Sequence, residues 1–227
     1  IFECDGNHRD VQRGGRRQRQ MCIRDRNETF DGVIVDNPDR LRQIVAWKKQ
    51  KPSLKVLLSI GGWGSGRFSE MVAVDVLRDS FAMDCKRVVE EFGLDGIDID
   101  WEYPTNQGPG ISYAPEDTRN FTLLMRDIRK HLPDGMLLTL ATAASGKFID
   151  FKSITGYVDF VNIMTYDIGL PPFHHSGLYP SSMTGNLSCY ESVLAHVCLL
   201  YTSDAADDLL CVHLGRRRLL KKKNKHK

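Results

Sequence analysis

Four short apolar runs, each closed by polar residues or glycine, set what this chain can fold into. Residues 54–60 (LKVLLSI), 94–100 (LDGIDID), 137–141 (LLTLA) and 158–164 (VDFVNIM) have the length and near-continuous hydrophobicity of buried parallel strands. The segments between them change period. Residues 68–92 carry Val72, Val76, Ala82, Cys85, Val88, Val89 and Phe92 at helical spacing, and Gly93 ends the run. Residues 117–131 put Phe121, Leu124, Met125 and Ile128 on one side of a second helix, with Pro133 beyond. Residues 41–49 and 190–199 predict flanking helices, and 149–154 a short helix or turn. Strands alternating with helices argue for βα units and a parallel sheet.

Two parallel architectures compete, a doubly wound sheet and a (β/α)₈ barrel. The first needs a glycine-rich loop that cradles a phosphate. Gly61-Gly62-Trp63-Gly64-Ser65-Gly66 has the glycines, but Trp63 would obstruct a pyrophosphate and no GKS/T sequel follows. Polar residues instead gather at the C-terminal ends of several strands: Ser59, Asp100 with Glu102, and Tyr166 with Asp167. Chemistry drawn from several strand ends onto one face points to the barrel. A full barrel takes about 250 residues, so 227 residues with irregular ends hold only part of one.

Charge separates the ends from the middle. Residues 1–26 hold seven Arg against four acids, and residues 216–227 hold eight Lys or Arg and no acid. Of 31 basic and 29 acidic residues, 16 and 25 remain between them, so the middle is acidic. The basic ends lack the folded surface with interleaved aromatics that a nucleic-acid interface needs. Residues 21–26 and 201–208 resemble translated sequencing-adaptor sequence. The expected division is an irregular basic segment over 1–27, a partial catalytic domain over 28–200 and an irregular basic tail over 201–227. No run of eighteen apolar residues occurs, so no spanning helix is expected, and no secretory signal is visible. The six cysteines form no CxxC pair, and His174 and His175 have no cysteine near them, so no zinc site is expected.

Asp98, Asp100 and Glu102 recur with period two, which turns all three acids to one face of a strand. Ile97, Ile99 and Trp101 turn the other way, toward the surrounding helices. Three acids inside an apolar barrel cannot all be ionised cheaply, which suits a terminal Glu102 that donates a proton near neutral pH. The same acids could instead hold Mg²⁺ or Ca²⁺ or form an inert hydrogen-bonded network. Asp95, near the strand start, reads as structural. Trp63, Trp101, Tyr103 and Tyr166 lie at or near strand ends, where flat rings can stack on sugar faces. No second carboxylate clearly opposes Glu102 from another strand; Asp167 is a candidate, but assistance by the substrate fits better than an enzyme nucleophile.

Residues 95–104 (DGIDIDWEYP) are similar to the signature of the glycoside hydrolase family 18 chitinases. Residues 59–63 (SIGGW) resemble that family's motif on the third barrel strand, and 164–167 (MTYD) its motif on the sixth. The resemblance covers about residues 30–199 and implies an α/β fold, a partial TIM (β/α)₈ barrel from about strand two or three to six. It implies Glu102 as general acid and base, Asp100 orienting the substrate's acetamido group, and Asp98 sharing a proton or hydrogen bond with Asp100. Tyr166 would hold the acetamido group. Gly61, Gly62, Trp63, Tyr103, Met164 and Asp167 would contact the sugar. The implied substrate is chitin or an N-acetylglucosamine oligosaccharide. Neither metal nor organic cofactor is implied, and neither nucleic acid nor membrane is an expected partner. The expected state is a monomer, secreted in the full-length parent. The alternatives are an endo-β-N-acetylglucosaminidase acting on N-glycans and an inactive chitin-binding fragment; intact Glu102 argues against a lectin. The resemblance also implies a first strand before Glu28, two further strands after Leu199, and a tryptophan from the last of them. The three tryptophans present, Trp47, Trp63 and Trp101, do not fill that role.

Overall fold

A computed structural model of the chain describes residues 32–184 and 187–200, together with the backbone of Tyr201 and of three two-residue strands. Those strands are β1 (Phe2–Glu3), β2 (Ile23–Arg24) and β3 (Thr29–Phe30). The four apolar runs form β4 (Leu57–Gly61), β5 (Gly96–Asp100), β6 (Leu137–Ala143) and β7 (Phe160–Met164). They make a parallel sheet in the order β1-β4-β5-β6-β7, while β2 and β3 pair antiparallel. Consecutive parallel strands joined through helices are the expected segment of a (β/α)₈ barrel. Of the ends expected to be irregular, residues 1, 4–22, 25–27 and 202–227 lie outside the described residues. Phe2 and Glu3 pair with Leu58 and Ser59 of β4.

Strand parity divides the sheet into two faces. Leu58 and Ile60 of β4, Ile97 and Ile99 of β5, and Leu138 and Leu140 of β6 are buried in one apolar core. Phe68, Phe81, Phe121, Leu124 and Ile128 from the helices join the same core. The opposite parity carries Ser59, Asp98, Thr139 and Asn162. Apolar residues therefore fix the sheet to its helices, and polar ones line the barrel interior.

The helices start and stop for local reasons. In α1 (Pro38–Ala46), Asn37 caps the first turn by accepting from the Arg40 N–H at 3.0 Å, and Pro38 needs no hydrogen-bonded N–H there. A 3₁₀ turn, Trp47–Lys49, completes the expected helical stretch. Residues 68–92, expected as one helix, are two: α2 (Phe68–Ala73) and α3 (Asp75–Phe92). Val74 between them is extended, with φ −113° and ψ 119°. The buried Arg78 guanidinium holds this break, donating to the Val72 carbonyl at 2.5 Å and to Asp127 at 3.2 Å. Gly93, at φ 67°, closes α3 in the left-handed region that glycine enters freely. Next come α4 (Asp117–His131), α5 (Phe151–Ile154) and α6 (Cys189–Tyr201). Among the described residues no helix is long and apolar enough to cross a membrane.

The chain divides into two compact units, residues 1–143 with 147–164, and residues 144–146 with 165–227. The first contains the whole parallel sheet. At its strand-start end, Asp95 accepts from Lys48 Nζ at 2.7 Å, Lys55 Nζ at 3.2 Å and the Val56 N–H at 2.9 Å. Burial opposes ionisation of Asp95, but those three donors outweigh it and hold the carboxyl below the usual carboxylate range. A depressed folded value means that the unfolded chain binds the proton more tightly. The stabilisation is complete above the unfolded value, about 3.9 for Asp, and is lost as pH falls through the folded one. Urea midpoints of wild type and Asp95→Asn should therefore differ by a constant amount from pH 7 to about 4 and converge below it. A difference unchanged down to pH 2 contradicts this role.

Candidate active site

Strand β5 carries the acids, and register explains what surrounds them. Ser59 of β4 and Thr139 of β6 are the direct neighbours of Asp98 in the sheet. Ser59 Oγ donates to Asp98 Oδ2 at 2.9 Å, and Thr139 Oγ1 donates to Oδ1. Asn162 Nδ2 of β7 also donates to Oδ1, at 3.0 Å. Asn162 pairs with Ala141, two residues beyond Thr139, so its reach to Asp98 reflects the stagger of tilted barrel strands. Asp98 is buried and accepts from three neutral donors on three strands, a satisfied site for a carboxylate in the interior.

Two residues on, Asp100 is half-buried at the end of β5, and Glu102 follows at the strand exit with 9% exposure. Gly61 and Gly62 lie beside them. The Gly62 N–H donates to the Asp100 carbonyl at 2.7 Å. A Cβ on Gly61, at φ 123°, would meet that same oxygen at 2.1 Å, so the end of β4 can approach β5 only with glycine there. Met164 ends β7 with the same parity as Asn162 and is half-buried.

Rings gather at the same end of the sheet. Tyr103 stacks on Phe148 with centroids 5.3 Å apart and meets Trp63 edge-on at 6.4 Å. Trp63 is 45% exposed, which leaves area for a ligand. Trp101 corrects an expectation: it is buried on the helix side, stacked on Phe68 at 5.2 Å and edge-on to Phe121 at 5.8 Å, and offers no face to a sugar.

The structure thus brings Asp98, Asp100, Glu102, Gly61, Gly62, Trp63, Tyr103 and Met164 to one end of one sheet. Tyr166 and Asp167, two and three residues past β7, belong to the second unit. There Tyr166 is exposed, and Asp167, at φ 56°, pairs with His175 Nδ1 at 3.3 Å. Ile168 donates to the His175 carbonyl at 3.1 Å, so this segment closes on itself. Thr139, Asn162 and Phe148 escaped the sequence reading. The first two carried a usable signal, being polar residues in apolar strands at the parity that faces Asp98.

Such an end of a parallel sheet can protonate a leaving group beside a hydrogen-bonded acid and stack a flat apolar ligand face. The family profile described as glycosyl hydrolases family 18 matches residues 14–210. Chitinase A1 of Niallia circulans is 39% identical over 157 residues, 63% of this chain and 22% of that protein. The chitinase domain of the spore coat protein CotE from Clostridium difficile superposes with a TM-score of 0.70 at 33% identity, covering 76% of this chain and 53% of that one. A glycoside hydrolase family 18 N-acetylglucosaminidase from Paenibacillus barengoltzii gives 0.69 at 33% identity, with 75% and 55% covered. The chain therefore spans about a fifth of that curated relative and about half of these solved ones.

Proposed function

The chain belongs to family 18 of the glycosyl hydrolases, and from that membership we propose that its full-length parent hydrolyses β-1,4-linked N-acetylglucosamine polymers. Glu102 is the general acid. It gives its proton to the glycosidic oxygen as the bond to the anomeric carbon breaks. The substrate's own acetamido oxygen bonds to that carbon and forms an oxazolinium ion. Asp100 orients the acetamido group and stabilises the positive charge it gains. Asp98 shares a proton or hydrogen bond with Asp100, and Tyr166 holds the acetamido group by its hydroxyl. Water then opens the ring, with Glu102 taking the proton, and the anomeric configuration is retained. Trp63, Tyr103 and Met164 shape the sugar site with Gly61 and Gly62, and Asp167 contacts the sugar.

The observation that carries this reading is the acid row itself. Asp98 is fixed by donors from β4, β6 and β7, and Glu102 stands at the exit of the same strand beside rings that can pack on a sugar. The chemistry is complete without a metal ion or organic cofactor. A polymeric substrate places the parent outside the cell.

The test is release of fluorophore from a chitobioside by the full-length parent, with chitotriose and a high-mannose glycopeptide compared in parallel. Cleavage of the first two and not the third supports a chitinase. Cleavage of the glycopeptide alone supports an endo-β-N-acetylglucosaminidase, and binding of chitotriose without cleavage supports a lectin.

A further inference from the structure

Asp117 is fully buried at the first turn of α4, and no step of the chemistry uses it. Its Oδ1 accepts from Ser69 Oγ of α2 at 2.8 Å. Its Oδ2 accepts from the backbone N–H groups of Thr105 at 3.2 Å and Ala114 at 2.8 Å. The adjacent Thr118 Oγ1 donates to the Phe148 carbonyl at 2.9 Å. These partners belong to the segments that leave β4, β5 and β6, which carry Trp63, Glu102 with Tyr103, and Phe148.

Each of those segments also holds a non-glycine residue in the left-handed region: Arg67 at φ 69°, Thr105 at φ 59° and Phe148 at φ 78°. Such residues persist where surrounding contacts hold them. Thr105 and Phe148 are each bound directly by Asp117 or Thr118, and Arg67 lies two residues before Ser69. The ring of Phe148 in turn stacks on Tyr103.

We infer that Asp117 is a positioning residue: its carboxylate brackets the segments leaving β4 and β5 and, with Thr118, the one leaving β6, and so sets where Glu102 and its rings stand. The inference rests on the role proposed for Glu102. A shift of about 1 Å in reacting groups costs about 100-fold in rate, and removing the bracket frees the segment that begins at Glu102. An asparagine can replace it. Its oxygen accepts the two backbone N–H groups, and its amide donates to Ser69 Oγ, whose hydroxyl turns round to accept.

The experiment compares full-length wild type, Asp117→Ala, Asp117→Asn, Glu102→Gln and Arg129→Ala. Arg129 is the control for general loosening. It donates to the Tyr157 and Met136 carbonyls at 2.7 and 2.8 Å, at the opposite end of the sheet. On the fluorogenic chitobioside, Asp117→Ala should lose about 100-fold in kcat with KM changed much less. Asp117→Asn should recover most of that, and Arg129→Ala should keep its kcat. Backbone amide exchange, read on the same proteins, should be about tenfold faster at Thr105 and Ala114 in Asp117→Ala alone. Equal kcat losses in Asp117→Ala and Arg129→Ala, or unchanged exchange at both amides, overturn the inference. An inactive wild type, or a fully active Glu102→Gln, sinks the hydrolase reading instead and leaves the exchange comparison to decide the bracket.

Discussion

Glu102→Gln is expected to lower kcat on chitotriose by about 10²- to 10⁴-fold, the range for losing a positioned general acid. The amide matches the carboxyl in size and still forms hydrogen bonds, so KM should stay within a few-fold. What it lacks is an acidic proton for the departing oxygen. Substrates with better leaving groups need that proton less, so an aryl glycoside should lose less rate than chitotriose. Steady-state kinetics on both substrates read the effect. A variant that keeps its kcat on chitotriose would remove Glu102 from the chemistry, whatever its position at the end of β5.

Arg78→Ala is expected to have the largest effect on stability. The Arg78 side chain is 4% exposed and ties three things together. It satisfies the Val72 carbonyl at the break between α2 and α3, pairs with Asp127 of α4, and pairs with Asp75 at the start of α3. Removing one member of a buried ion pair costs about 3–5 kcal/mol, because the partner's charge stays behind. Asp127 keeps a contact from Arg126 at 2.7 Å, and Asp75 is exposed, so the lower end of that range applies. About 3 kcal/mol corresponds to a fall in melting temperature of about 6–12 °C for a chain of this size. Arg78→Met, which keeps part of the buried stem, should lose less. Thermal unfolding of the three proteins gives the order directly, and a fall under about 2 °C for Arg78→Ala would mean that the α2–α3 break needs no guanidinium.

Local periodicity carried most of the fold. The apolar runs and their polar interruptions gave β4 to β7, and α4 spans Asp117–His131, the residues its apolar stripe and the following Pro133 predict. Period two also separated the acids of β5 from Ile97 and Ile99, which are buried in the core as that parity requires. Contacts remote in sequence leave no such trace. The break at Val74 looks helical in every local respect and depends on an arginine that reaches 49 residues along the chain to Asp127. Asp117 reads as an ordinary acid in the first turn of a helix, and only the fold brings Ser69, Thr105 and Ala114 to it. Trp101 shows the converse. Its position near a strand end suggested a sugar platform, but its parity sends it to the helices, and parity prevailed.

The proposed mechanism depends on the substrate supplying its own nucleophile. Hydrolysis of chitotriose and of its fully de-N-acetylated counterpart by the full-length parent, with the first-formed anomer followed by proton NMR, tests that most directly. Cleavage of the N-acetylated trimer alone, with the β-anomer appearing first, is the expected result. Comparable cleavage of the de-N-acetylated trimer, or initial release of the α-anomer, would contradict it.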